Sequence, residues 1–76
     1  MPHRIFRLNS STFAILYEND QRTVVTIPAN ALVTVVVGEV EADGLIKIRY
    51  EHKVLVMLAV DLRRRAERVW QEQQSA

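Results

Sequence analysis

The arrangement of apolar and polar positions across residues 31–62 predicts three consecutive strands with short turns, followed by the start of a helix. Residues 32–37 are almost all β-branched, and such side chains suit a pleated strand better than a helix. Residues 46–50, Ile-Lys-Ile-Arg-Tyr, alternate strictly, which predicts a strand with one wet face. Residues 53–60 are predicted to form the third strand of this central segment.

The turns between these strands are predicted from local residue types. Residues 43–44 are Asp-Gly between two apolar runs, which is typical of a short hairpin because glycine tolerates positive φ. Residues 51–52, Glu-His, are predicted to form the second turn, although neither is Gly or Asn. Gly38 is predicted to mark a β-bulge, with Val40 continuing the same strand beyond it.

The N-terminal part of the chain predicts three more strands, over residues 3–8, 12–17 and 22–27. In the last of these, Val25 and Ile27 are expected to face inward. Many short strands with short connections indicate a small barrel or sandwich. The sequence therefore predicts an all-β fold, an SH3-like barrel of five or six antiparallel strands over residues 3–60.

A C-terminal helix is predicted over residues 61–73, followed by a frayed tail at 74–76. Asp61 is the expected N-cap, because its carboxylate suits the positive end of the helix dipole. At 100° per residue the helix is amphipathic. Its apolar stripe comprises Leu62, Ala66, Val69 and Trp70.

Two of the central strands, 32–37 and 53–60, carry apolar side chains on both faces. A solvated antiparallel sheet has one polar face, so the second face of these strands needs a cover. The cover could be the barrel itself, the C-terminal helix or another copy of the chain. The candidate self-association residues are Val33, Val35, Leu55, Met57, Val69 and Trp70. Trp70 would either complete the core beneath the helix or anchor a partner.

Composition adds weight to self-association. The 76 residues make one domain, and a chain of this length buries only about 60% of the surface that its unfolded form exposes. It has no cysteine, hence no disulfide or thiolate zinc site to supplement the core. Oligomerisation remains, most simply as a dimer. No apolar run approaches the ~20 residues of a membrane span, so we expect no membrane partner and a cytoplasmic location.

Three short motifs follow one another at residues 26–28 (Thr-Ile-Pro), 43–44 (Asp-Gly) and 61–65 (Asp-Leu-Arg-Arg-Arg). In this order they resemble a group of short bacterial proteins with an SH3-like β-barrel. The resemblance covers about half of the chain and implies a fold without implying an activity.

A second likeness is to the carbon-storage-regulator family of RNA-binding proteins. It rests on residues 33–37, 46–48 and 54–56 followed by a basic helix, and it implies an intertwined dimer. The chain departs from that family at residues 51–53, where Glu-His-Lys replaces a Gly/Ala-Pro segment. No RNA contact is therefore transferred residue by residue.

The basic residues are the main candidates for binding chemistry. Net charge is only +1, so no global basic field requires nucleic acid. The candidate partner or nucleic-acid contacts are Lys47, Arg49, Arg64, Arg65 and Arg68. The arginines could bind phosphates, or they could form a solvated helix face with Glu67 and Glu72. The two strand residues could instead pair with acidic residues across strands.

Metal, cofactor and catalytic chemistry lack a recognisable pattern. His3 and His52 are the only histidines, and no further ligand lies at a metal-site spacing. Asp61 is explained as a helix cap, and residues 10–12, Ser-Ser-Thr, as a turn without an adjacent base. We expect no enzyme, no cofactor and no metal. The first hypothesis is a self-associating interaction module that binds a protein partner, and the alternative is a small RNA- or DNA-binding barrel.

Overall fold

The computed structural model describes residues 4–69, which form seven strands and one helix. These elements are β1 (Ile5–Leu8), β2 (Thr12–Glu18), β3 (Gln21–Ile27), β4 (Leu32–Val37), β5 (Leu45–Tyr50), β6 (Lys53–Leu58), α1 (Ala59–Arg65) and β7 (Ala66–Arg68). All strand pairs are antiparallel, in the order β3-β2-β6-β5-β4-β1-β7. The all-β prediction is confirmed. Over residues 4–69 the sheet is open, with β3 and β7 at its edges, so a closed barrel is not confirmed.

One face of the sheet makes the core. Because successive side chains of a strand point to opposite faces, buried residues alternate with less buried ones along β1, β4 and β5. In β3, Ile27 is fully buried, Val25 is half-buried and Val24 is exposed, as the sequence predicted. The buried apolar residues are Phe6, Leu8, Ala14, Ile27, Val33, Val35, Val40, Ile46, Ile48, Leu55, Met57, Ala59 and Leu62.

Two hairpins turn on pairs of residues with positive φ. Asn19 and Asp20 have φ values of 53° and 64°, and Glu51 and His52 have 50° and 72°. This left-handed pair suits a two-residue hairpin because its twist matches that of the strands. The predicted turn at residues 51–52 is confirmed. It uses two residues that pay a conformational cost that Gly would avoid.

The Asp-Gly segment does not make a tight hairpin. The connection between β4 and β5 runs from residue 38 to residue 44. Of the Asp43-Gly44 pair, only Gly44 has a positive φ, of 124°. Asp43 instead has its carboxylate 3.3 Å from the guanidinium of Arg63. The longer connection allows Val40 to fold back into the core.

The predicted bulge lies next to Gly38. The register between β4 and β5 shifts between Val35 and Val37, and Gly38 follows with φ 107°. The strand ends at Val37, so the prediction that Val40 continues it is wrong. Gly38 approaches β5 so closely that a Cβ there would lie 2.7 Å from Cγ2 of Ile46.

The predicted C-terminal helix is wrong in both bounds. It begins two residues earlier than expected, where the N–H of Ala59 donates to the carbonyl of Gly44 (2.9 Å). Its N-cap is Leu58, without a side-chain cap bond among the described residues, and Asp61 lies within the first turn. It ends at Arg65, whose carbonyl accepts a hydrogen bond from the N–H of Asn9 (2.5 Å).

The residues after the helix are extended and not helical. β7 pairs with β1, and the N–H of Val69 donates to the carbonyl of Ile5 (2.8 Å). A helix of about 12 residues is only marginally stable on its own. Hydrogen bonds to the edge of β1 therefore determine that this segment is a strand. The remainder of the predicted helix, Trp70 and the predicted tail at 74–76 lie outside the described residues.

Candidate interaction surface

The face of the sheet opposite the core carries apolar side chains on five strands, β2 to β6. On β2, Ala14 points inward, so Phe13 and Tyr17 point outward, and both are exposed. On β6, Leu55 and Met57 point inward, so Val54 and Leu58 point outward. These side chains are apolar although half of their surface meets solvent.

Strand register aligns these residues in rows. Val24 lies opposite Ile15, Ile15 opposite Val56, and Val56 opposite Lys47. Leu45 lies opposite Leu58. Continuing the β2–β6 register by two residues places Phe13 opposite Leu58 on the other side of β6. We call this surface the outer apolar face. It consists of Phe13, Ile15, Tyr17, Val24, Val37, Leu45, Val54, Val56 and Leu58.

The exposed area of this face exceeds that of the largest apolar patch usual on a monomeric protein. Phe13 and Leu45 are each 66% exposed, and five further members lie between 45% and 63%. Together they present roughly 800 Å² of accessible surface, whereas the largest apolar patch on a monomer is usually about 300–600 Å². Roughly 800 Å² is also what each partner contributes to a standard protein–protein interface.

The outer apolar face is not flat. A depression of about 370 Å³ lies between β2, β3 and β6, lined mainly by apolar side chains and closed at one end by Asp61 of α1. A second depression, of about 460 Å³, lies between Tyr17 on one side and Val37 and Lys47 on the other. Side chains of a partner have room to enter these depressions.

Two basic residues border the face, and a third lies within it. Lys47 lies between Val37 and Val56, and Arg49 lies opposite Val54. Arg22 lies opposite Tyr17. The aliphatic stems of long basic side chains pack against apolar surface while their charges stay in water. This gives the face a polar rim of the kind that surrounds interface cores.

Most arginines near the C-terminal helix hold the fold together. Arg63 donates to the carbonyls of Val40 (2.5 Å) and Ala42 (3.0 Å), which fixes the connection before β5. Arg65 donates to the carbonyl of Ser11 (3.3 Å). Arg63 and Arg65 therefore have hydrogen-bond acceptors within the chain.

The last arginine of the cluster, Arg68, is on β7. Its guanidinium lies 5.3 Å from the ring centre of Phe6 and 3.6 Å from the carboxylate of Glu41. Beside it, Arg7 and Glu67 form an ion pair across β1 and β7 at 3.1 Å. Arg64 is exposed on α1.

The predicted nucleic-acid contacts lie in separate parts of the fold. Lys47 and Arg49 are alternate residues of β5 and share its outer side. Arg64 and Arg65 are on α1 and Arg68 is on β7, which is separated from β5 by β4 and β1 in the sheet. Strand pairing therefore brings only the first two together.

The predicted self-association residues are wrong at four positions. Val33, Val35, Leu55 and Met57 are at most 3% exposed, because their side of β4 and β6 faces the core. Val69 is half-buried beside β1, and Trp70 lies outside the described residues.

The sequence did contain the signal for the outer apolar face. Phe13, Ile15 and Tyr17 share one side of β2, and Val54, Val56 and Leu58 share one side of β6. What sequence pattern could not supply was which of two apolar sides of a strand faces the core.

Among the described residues, the pKa of one group, Tyr50, clearly departs from its ordinary value, and this residue packs against the core. The pKa of Tyr50 is raised from its ordinary value of 10.0, first because the surrounding chain desolvates the phenol and then because the negative charge of Glu51 lies beside it. The phenol therefore holds its proton more firmly in the folded chain than in the unfolded one.

Comparison with protein-family models, curated proteins and solved structures found no match. Within residues 4–69, the single short helix lacks the length and the apolar character to cross a membrane. The same residues contain no group of three or more His, Cys, Asp or Glu side chains placed to hold a metal ion.

Proposed function

We propose that this chain is a non-catalytic interaction module that self-associates by packing its outer apolar face against the same face of a second copy. The observation that carries the proposal is the register, which places nine apolar residues in neighbouring rows over β2 to β6, with Lys47 interrupting one row before Val37. A face of roughly 800 Å² per copy is enough for a stable interface of standard size.

A second copy fits this surface better than a partner of different shape. In a two-fold dimer the same patch meets itself, so it must be self-complementary. The centre of the face, around Ile15 and Val56, is apolar, and Lys47 lies beside Val56 within the face. Arg22 and Arg49 stand at its edge, where two copies can keep their charges in water. The depressions between strands offer space for Phe13 and Leu45, which protrude most.

The strand order supports an SH3-like interpretation of the fold. β4, β5 and β6 form a meander, β1 pairs with β4, and the chain returns through one short helix to pair β7 with β1. Such an order suits a small barrel around one core. An experimental structure in which the two ends of the sheet diverge, instead of curving round the core, would contradict this interpretation.

The test uses two substitutions of the same residue type. Leu45→Lys places a charge within the outer apolar face, and Leu32→Lys places one at a similarly exposed position opposite Arg7, outside that face. Light scattering after size exclusion should show the parent chain and Leu32→Lys at the same multiple of 8.8 kDa. Leu45→Lys should elute at a lower mass while its circular dichroism stays unchanged.

Two results would go against the proposal. One is a parent chain that stays monomeric at every accessible concentration. The other is equal dissociation of both lysine variants. Absorbance at 260 nm that coelutes with the chain and is lost on adding salt would favour nucleic-acid binding by the basic residues instead, because counterion release drives such contacts.

A further inference from the structure

The two edges of the sheet differ in how they are protected. The β7 edge has only three residues, and two of them, Glu67 and Arg68, are charged. β3 has seven residues, Gln21–Ile27, pairs regularly with β2 along its whole length and has one charge, on Arg22. Proteins normally blunt a sheet edge with charges, prolines, bulges or short strands. The edge of β3 has none of these along its middle.

The turn at residues 19–20 decides which backbone groups face this open edge. A two-residue hairpin turn closes with hydrogen bonds between its flanking residues, here Glu18 and Gln21. Hydrogen-bonded and non-bonded pairs then alternate along an antiparallel ladder. The N–H and C=O groups of Arg22, Val24 and Thr26 therefore point away from β2. Among the described residues, no strand pairs with them.

We infer that this edge pairs with β3 of a second copy, antiparallel and centred on Val24 opposite Val24. This inference rests on the proposed self-association and adds a second contact to it. In this register Arg22 of one copy lies opposite Thr26 of the other, so no like charges meet. Every outward N–H and C=O of the three residues gains a partner.

Other registers fit less well. A shift by one residue would place the outer face of one copy beside the inner face of the other. A shift by two residues in one direction places Arg22 opposite Pro28, which has no N–H to donate. A shift by two in the other direction runs past Gln21 into the turn and leaves Thr26 without a strand partner. The alternation of the two faces, Pro28 and the turn before Gln21 thus select one pairing.

Edge pairing and face packing are compatible in one assembly. The two-fold axis of the paired β3 strands is perpendicular to the sheet, so both outer apolar faces stay on the same side. They remain free to pack against another pair. The edge contact alone gives two chains, and both contacts together give four, the arrangement of closed oligomers with two kinds of two-fold interface.

An isotope-mixing experiment tests the register directly. In the paired edges, Thr23 of one copy lies opposite Val25 of the other in a non-bonded pair, where the chains approach most closely. A sample that mixes labelled and unlabelled chains should show a nuclear Overhauser effect between these two Hα atoms. The same two atoms are too far apart within one strand to produce it. Absence of this signal in a sample that light scattering shows to be associated would overturn the inference.

A substitution pair separates the edge contact from the face contact. Thr26→Pro removes an outward N–H without removing a hydrogen bond to β2 and lies outside the set of residues that defines the outer apolar face, and Thr26→Val keeps the N–H and the β-branch. We expect Thr26→Pro to halve the mass of the assembly and Thr26→Val to preserve it. An unchanged mass for folded Thr26→Pro would refute edge pairing and leave the face contact standing. A monomeric parent chain would refute both.

Discussion

Gly38 offers the sharpest test of the packing described above. It combines φ of 107° with an approach that would set an alanine Cβ 2.7 Å from Cγ2 of Ile46 and 3.2 Å from the Ile46 Cα. Ile46 is 2% exposed and is held between β4 and β6, so it has little room to move. Gly44 has a similar φ of 124° with no atom near the position of a Cβ. Comparing alanine substitutions at the two glycines therefore separates the cost of backbone strain from the cost of steric contact.

The magnitudes follow from these two causes. Backbone strain at positive φ costs a residue other than glycine roughly 1–3 kcal/mol, and forcing a methyl group into a packed site costs roughly 1–3 kcal/mol more. Stiffening of the unfolded chain by alanine returns about 0.4–1 kcal/mol. We therefore expect Gly38→Ala to lower the unfolding free energy by about 2–4 kcal/mol. Gly44→Ala should cost about 1–2 kcal/mol.

Urea unfolding at a single low chain concentration is the suitable assay, because self-association would otherwise add to the apparent stability. Thermal unfolding provides a check, since about 1 kcal/mol shifts Tm by roughly 4–8 °C in a domain of this size. Equal losses for Gly38→Ala and Gly44→Ala would refute the reasoning. In that case the contact with Ile46 would contribute nothing and only φ would matter.

Two further predictions concern the β5–β6 turn. His52→Gly should raise the unfolding free energy by about 0.5–1 kcal/mol in urea, because the strain of His52 at φ 72° costs more than the extra chain entropy that glycine loses on folding. Lys53→Gly in β6 should lower the unfolding free energy. The raised pKa of Tyr50 means that the folded chain holds the phenol proton more firmly, so stability is intact below pH 10.0 and falls as pH rises through the folded pKa. Tyr50→Phe should flatten this alkaline loss, and an equally steep loss in that variant would assign it to other groups.

The strands and their sides were largely predictable from the sequence. The apolar and polar pattern within residues 46–50 and 22–27 indicates which face of the sheet each side chain points to, because the side-chain period of a strand is two. The turn at residues 51–52 was found from the apolar runs on either side of it, without help from its own residue types. Local pattern was sufficient wherever neighbours in sequence are also neighbours in the sheet.

The errors arose where distant residues decide the outcome. A stripe at helical spacing from Leu62 to Val69 is real, yet residues 66–68 pair with β1, which lies 60 residues away at Arg7 and Glu67. No window of local sequence contains that strand. Likewise, both sides of β6 are apolar, and packing against other elements of the fold leaves Leu55 buried in the core and Val56 half-buried on the opposite side.

The outer apolar face also determines how the assembly should respond to temperature and to salt. Burial of apolar surface is driven by entropy near 25 °C and carries a negative heat-capacity change, so cooling loosens it. Sulfate and other excluded salts strengthen it, whereas they weaken contacts between opposite charges. We therefore expect the proposed assembly, which rests on residues such as Phe13 and Leu45, to be more stable at warm temperature and high sulfate concentration and to dissociate on cooling.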